Sequence, residues 1–124
     1  MNKIYDVFLD GNKIGTSKLE HGDAPMGVAF GQIRFIENIS GYEFFSKYCL
    51  ENKIEFEGYP EDKLIMTCAI PGLKVIDEAG IEINGIGTSI SGMDSDTFEI
   101  TILGISYPFY QEEFPEQVKA YYEK

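Results

Sequence analysis

The sequence predicts an α+β fold: an antiparallel, meander-like sheet packed against one main helix, with a short C-terminal helix. Several short segments rich in β-favouring residues are separated by turn signals, as in an antiparallel sheet. Residues 41–51 repeat apolar side chains at the clearest helical spacing in the chain. An apolar content of 44% and a length of 124 residues fit a single globular domain that spans 1–124.

The chain is predicted to begin with a β-hairpin. Residues 4–9 favour a strand, Asp10-Gly11-Asn12 is a turn signal, and residues 13–19 return as the second strand.

Residues 28–36 fit either a helix or a strand. Met26, Phe30 and Ile33 would share one helical face. However, Gly27 and Gly31 would each cost a helix about 1 kcal/mol relative to alanine. We therefore expect a strand here, with a bulge at Gly31.

The main helix has its own start signal and apolar stripe. Ser40 and Glu43 form the capping-box pattern S-x-x-E. Phe45 and Cys49 lie on one apolar stripe and are expected to pack against the sheet. Asn52 is expected to close the helix in the left-handed conformation.

The second half of the chain is predicted to be mainly β-structure. Residues 64–70 are a continuous apolar run, typical of a central strand. Residues 73–76 and 81–83 flank a Gly80 turn, residues 86–91 continue as a strand, and residues 92–96 form a loop. Residues 98–102 alternate, with Phe98, Ile100 and Ile102 expected to face the core.

Two prolines organise the end of the chain. Pro108 is expected to stop strand pairing, and Pro115 suits the first turn of a helix that ends near Tyr122. Phe114, Val118 and Tyr121 would form the buried stripe of that helix.

The charge balance excludes several classes of function. Lys and Arg total 10 and Asp and Glu total 21, so the net charge is −11, and Arg34 is the single arginine. This balance argues against binding nucleic acid or an anionic membrane. Residues 77–124 carry 10 acidic and 2 basic side chains, so most of the excess charge lies there. Such an asymmetry can attract a basic partner, although acidity also serves solubility.

The two cysteines, Cys49 and Cys68, have apolar neighbours and no zinc-type spacing. We expect both to be buried, reduced thiols. No export signal or bilayer-length apolar run is present, which indicates a cytoplasmic protein.

No motif assembles a catalytic or metal site. His21 is the single histidine, and nothing in the sequence brings His21 and Asp23 together with Cys49 as base, orienter and nucleophile. The Asp94–Thr97 segment begins like a calcium loop, but Ile105 stands where the bidentate glutamate should be. We therefore predict no enzyme activity, no cofactor and no metal.

The C-terminal half combines tyrosines with carboxylates, which is good contact chemistry for a basic protein. Tyr107 and Tyr110 are predicted to be the apolar anchors of a partner-binding surface. Its predicted carboxylates are Asp94, Asp96, Glu112, Glu113 and Glu116.

Two functions of different classes remain open. In size and charge alone, and through no motif, the chain resembles the small acidic immunity proteins that neutralise bacterial toxins. The resemblance implies an inhibitor that binds a basic toxin domain through its carboxylates. The alternative is a structural module, or one that binds a small ligand in an apolar pocket between the sheet and helix 41–51. The sequence indicates no oligomeric state.

Overall fold

The structure, a computed structural model, describes residues 3–123 and confirms an antiparallel α+β fold. All strand pairs are antiparallel, in the order β5-β6-β8-β9-β4-β2-β1-β7, and β3 also pairs with β4. The strands are β1 (Tyr5–Leu9), β2 (Asn12–Ser17), β3 (His21–Asp23), β4 (Val28–Phe35), β5 (Phe56–Tyr59), β6 (Leu64–Thr67), β7 (Leu73–Ile76), β8 (Gly87–Met93) and β9 (Phe98–Leu103). The helices are α1 (Gly41–Glu51), α2 (Phe109–Glu113) and α3 (Pro115–Tyr122), with a 3₁₀ turn at Ala24–Met26.

The predicted first hairpin is present. Leu9 pairs with Asn12, so Asp10 and Gly11 form a two-residue loop, and both have positive φ, 51° and 84°. This is the conformation of the type I′ turn, whose twist matches that of the paired strands.

The strands share one inner, apolar face. Side chains alternate across a strand, so Ile100 of β9 lies beside Ile90 of β8, while Val7 of β1 lies beside Val75 of β7. These four side chains are buried. The Ile70 amide donates to the Thr88 carbonyl over 2.8 Å, which joins the segment leading to β7 with β8. The sheet thus curves around its own core.

Helix α1 packs on this inner face as predicted. The Ser40 hydroxyl accepts a hydrogen bond from the Glu43 amide over 3.1 Å, and Phe45 and Cys49 are completely buried. The expectation for Asn52 is wrong, because its φ is −107° and the left-handed residue is Lys53, one position later.

Residues 28–35 form a strand, but the bulge expected at Gly31 is absent. Ala29 to Ile33 pair with β9 without a register shift. The irregularity lies in the neighbouring segment, residues 18–20, where β2 gives way to β3 and Leu19 has φ 44°. A Cβ at Gly31 would lie 2.9 Å from the Leu19 Cα, so only glycine leaves room for this segment.

Three other expectations about the strands need correction. Strand β6 is shorter than the predicted 64–70 run and lies next to the edge strand β5, not at the centre. The return after Gly80 is a single bridge between Ile76 and Glu82 rather than a full strand. Strand β8 continues through Gly92 and Met93, which were expected to lie in the loop.

The C-terminal segment contains one helix more than predicted. After Pro108 the chain turns at once into α2, and Pro115 then begins α3 as expected. Phe114 is buried and Val118 partly buried, but Tyr121 is exposed, which corrects the predicted stripe. In residues 3–123, none of the helices is long and apolar enough to cross a membrane.

Opposite the inner face, five strands turn a second set of side chains outward. Their buried partners fix the direction of each side chain, because neighbours along a strand point to opposite sides. We call this surface the outer sheet face: Val28, Phe30, Gln32, Arg34, Glu57, Tyr59, Leu64, Met66, Gly87, Ser89, Ser91, Met93, Glu99, Thr101 and Leu103.

Candidate partner-binding groove

A groove of about 690 Å³ runs between β3 and helix α3. We call it the β3–α3 groove. Its lining residues are Glu20, His21, Gly22, Asp23, Ala24, Glu116, Gln117, Ala120 and Tyr121.

Close packing at Gly22 sets the floor of the groove. A Cβ on Gly22 would lie 2.5 Å from the Tyr110 hydroxyl and 2.9 Å from Gln117 Cγ. Only glycine therefore lets α2 and α3 approach β3 this closely. The Gln117 side-chain amide also donates to the Leu19 carbonyl over 2.9 Å, which fixes α3 against residues 18–20.

The groove carries three carboxylates from two parts of the chain. Glu20 and Asp23 come from the β3 side, and Glu116 comes from the first turn of α3. One carboxylate oxygen of Glu20 accepts a hydrogen bond from the Gln32 backbone amide over 3.3 Å. Within residues 3–123, none of the three forms an ion pair. The groove therefore carries negative charge that this part of the chain does not neutralise.

Large apolar side chains stand exposed around the groove. Met26 is 68% exposed, Tyr107 46% and Tyr122 75%, and the Tyr121 and Tyr122 rings lie 5.0 Å apart. The Tyr107 hydroxyl donates to the Ala24 carbonyl over 2.6 Å, which holds this ring beside the 3₁₀ turn. Burial raises the pKa of Tyr107, as do the nearby Tyr122 and Asp23. Rings next to unpaired carboxylates are the contact chemistry expected from the sequence, at a different place.

Of the predicted partner-binding residues, Glu116 lies in this groove and Tyr107 stands beside it. Tyr110 is not available to a partner, so its prediction as an anchor is wrong. Its ring is completely buried and its hydroxyl donates to the Val28 carbonyl over 2.8 Å. The pKa of Tyr110 is raised to about 12, mainly by burial and to a smaller extent by the nearby Tyr107 and Asp23.

The two glutamates of helix α2, which were also predicted to bind a partner, differ in their exposure and contacts. Glu112 is exposed. Glu113 is turned toward the first strand, where one carboxylate oxygen accepts the Tyr5 hydroxyl over 2.6 Å and pairs with the Lys3 ammonium at 2.8 Å. The hydrogen bond between Lys3 and Glu113 raises the pKa of Lys3. Glu113 therefore ties β1 to α2.

Asp94 and Asp96 lie at the opposite end of the sheet. They precede β9, whereas Tyr107 follows it, and six strand residues span roughly 17 Å. The Asp94 carboxylate accepts the Tyr42 amide over 3.0 Å and also the Ser40 hydroxyl, so it caps helix α1. Asp96 is exposed. The seven predicted residues therefore do not form one surface.

The structure also places the residues considered for catalysis and metal binding. Cys49 lies on the buried face of α1, and burial raises the pKa of its thiol, whereas His21 lies exposed beside the Phe30 ring. Both cysteines are free, but Cys68 is exposed, which corrects the expectation that both are shielded. In residues 3–123 there is no group of three acidic, histidine or cysteine side chains able to hold a metal ion.

Sequence reasoning did not identify Glu20 or Met26 as site residues. The local signal was the acidic Glu20–Asp23 stretch before Pro25. Nothing in the sequence showed that α3, about a hundred residues later, would pack against it. Comparison with protein-family models, curated proteins and solved structures yields no match.

Proposed function

We propose that this chain is a protein-binding domain that receives a basic partner in the β3–α3 groove. The observation that carries the proposal is the placement of Glu20, Asp23 and Glu116 in one groove without a cation of residues 3–123 to pair with them. Lysines or arginines of a partner would complete these pairs, and the negative field would speed their approach.

The exposed rings give the same surface its apolar contacts. Tyr107 and Tyr122 can cover large area of a partner at low cost in side-chain entropy. Tyr107 is held by its hydrogen bond to Ala24, so binding a partner costs little further side-chain entropy at this ring.

The partner we propose is a basic bacterial toxin domain that the chain neutralises. The support is the overall charge of −11 and the small size of the chain, both of which resemble immunity proteins. The apolar-pocket alternative gains no specific support, because Phe45 and Cys49 fill the space between helix α1 and the sheet.

The first test is whether a toxin-like reading frame lies beside this gene. The second measures the binding of a basic toxin domain from such a reading frame to this chain, in surface-plasmon kinetics at two salt concentrations. A double reversal in the groove, Asp23→Lys with Glu116→Lys, should slow association and flatten its salt dependence. The matched control is Glu51→Lys with Glu61→Lys, which makes the same change in net charge at exposed positions outside the groove. Equal effects of the two double variants would contradict the proposal.

A further inference from the structure

A second, smaller pocket adjoins the β3–α3 groove and collects positive charge. Its volume is about 260 Å³, and Thr16, Lys18, Glu20, Gln32 and Arg34 are among the residues that line it. We call it the Lys18–Arg34 pocket. Glu20 lines both the pocket and the groove, so one ligand can reach into both.

The pairing of β2 with β4 brings the two cations to one side of the sheet. Thr16 of β2 lies opposite Arg34 of β4. Lys18 comes two residues after Thr16, and Gln32 comes two residues before Arg34. Because side chains two residues apart point to the same side of a sheet, these four side chains converge on the pocket that they line.

Both cations of the pocket lack a partner, although the chain has 21 acidic side chains against 10 basic ones. Four lysines form ion pairs, but within residues 3–123 neither Lys18 nor Arg34 does. Glu20 instead accepts the Gln32 backbone amide. The Thr16 hydroxyl and the Gln32 side-chain amide likewise make no hydrogen bond with the described residues. The pocket therefore presents several unused donors at one place.

We propose that the Lys18–Arg34 pocket receives a carboxylate of the same basic partner that fills the groove, an inference that rests on the proposed function. Lys18 and Arg34 outnumber Glu20 by one charge, which matches a single carboxylate better than a doubly charged phosphate. The planar guanidinium of Arg34 can bind both carboxylate oxygens side by side. The Lys18 ammonium and the Thr16 hydroxyl can donate to the same oxygens.

The carboxylate should belong to the partner and not to a free small molecule. A net charge of −11 repels free anions, and a single exposed ion pair contributes little binding energy. A partner held in the groove brings its own carboxylate to the pocket at high local concentration. Its surface should therefore carry an aspartate or glutamate beside its lysines and arginines. This pattern orients the partner and discriminates against basic proteins that lack the carboxylate.

Removing one positive charge separates this pocket from a general effect of charge. Arg34→Gln makes the chain more acidic, so the overall field alone would keep or strengthen its attraction for a basic partner. If the pocket holds a carboxylate, Arg34→Gln should instead raise the Kd for the basic toxin domain about fivefold. Lys47→Gln, the same change of charge at an exposed lysine of α1, is the control and should leave the Kd unchanged or lower it. Urea unfolding of each variant verifies that the fold is retained.

Replacing the carboxylates of the toxin domain by amides, one at a time, identifies the matching group. One replacement should weaken binding to the natural chain and to Lys47→Gln, but should have little further effect on Arg34→Gln. Unweakened binding by Arg34→Gln, or the absence of any carboxylate coupled to Arg34, would overturn this inference and leave the groove proposal standing. No binding by the natural chain would instead contradict the proposed function, and this inference with it.

Discussion

The Tyr110 hydroxyl donates a hydrogen bond of 2.8 Å to the Val28 carbonyl and lies directly above Gly22. This contact connects α2 to the place where β3 meets β4. Tyr110 was expected at the surface, but it is buried and supports the floor of the β3–α3 groove.

Removing that hydroxyl should destabilise the protein without changing the shape of its core. Tyr110→Phe leaves the Val28 carbonyl without its partner, and we expect a loss of about 1–2 kcal/mol in the free energy of unfolding. Urea unfolding measures the loss. Tyr107→Phe removes a hydroxyl from a half-exposed ring and is the control, with a smaller expected loss. Equal losses would contradict the distinction between a core ring and a surface ring.

Gly22 should tolerate no side chain. Gly22→Ala places a methyl group 2.5 Å from the Tyr110 hydroxyl and 2.9 Å from Gln117 Cγ, so both α2 and α3 must move away from β3. We expect lower stability and weaker binding of the basic partner. Gly80→Ala strains a left-handed turn, φ 85°, at an open position far along the chain, and it should lower stability while leaving partner affinity unchanged.

Truncation of the main core side chain should be costly. Phe45→Ala removes a completely buried ring that packs with Phe35 and Phe44, and we expect a loss of about 3–5 kcal/mol in urea unfolding. Phe44→Ala, at a half-buried ring of the same helix, should cost less. A loss below about 1 kcal/mol for Phe45→Ala would show that the helix packs differently.

The two thiols should react at very different rates. Cys68 is exposed and Cys49 is completely buried, so a thiol reagent should label one site rapidly in the native protein and the second only on unfolding. Cys68→Ser should abolish the rapid phase. Rapid labelling that persists in this variant would show that the Cys49 thiol of α1 is open to solvent.

Stability should fall in alkaline solution. Burial raises the pKa of Tyr48 and Tyr110 to about 12, each above the ordinary value of 10.0, and burial raises that of Tyr5 as well. The unfolded chain therefore loses these protons first. Their contribution to stability is complete below pH 10.0 and is lost as the pH rises toward 12. Urea unfolding at rising pH should show this decline, and Tyr110→Phe should make it shallower.

The rings beside the groove should control dissociation of a partner. Tyr122→Ala removes a ring that is 75% exposed, and we expect faster dissociation with little change in association. Tyr59→Ala, on the outer sheet face, is the matched control. Similar dissociation rates for the two variants would argue against contact at the groove.

Local signals in the sequence predicted much of the fold. Ser40 and Glu43 marked the start of α1, and the turn at Asp10 and Gly11 fixed the first hairpin, because capping and turn conformations depend on adjacent residues. The pattern over Phe98–Ile102 also predicted which side chains of β9 are buried.

The expectations that failed depended on contacts between distant segments. Gly31 is needed because Leu19 lies against it, not because its own strand bulges. Asp94 was predicted to bind a partner but caps a helix that precedes it by some fifty residues, and Tyr110 is buried by β3 and β4. Composition and local spacing carry no information about such contacts.

The Asp94 cap also bears on how the chain assembles. The Tyr42 amide and the carboxylate that accepts it are 52 residues apart in sequence. Helix α1 therefore gains its full N-terminal cap only after the β8–β9 connection has formed, and that ordering requires closure of a long loop. An isolated peptide of residues 40–52 should accordingly be much less helical than the same segment in the intact protein. During refolding, the N-terminal turn of α1 should become protected from hydrogen exchange later than the rest of the helix.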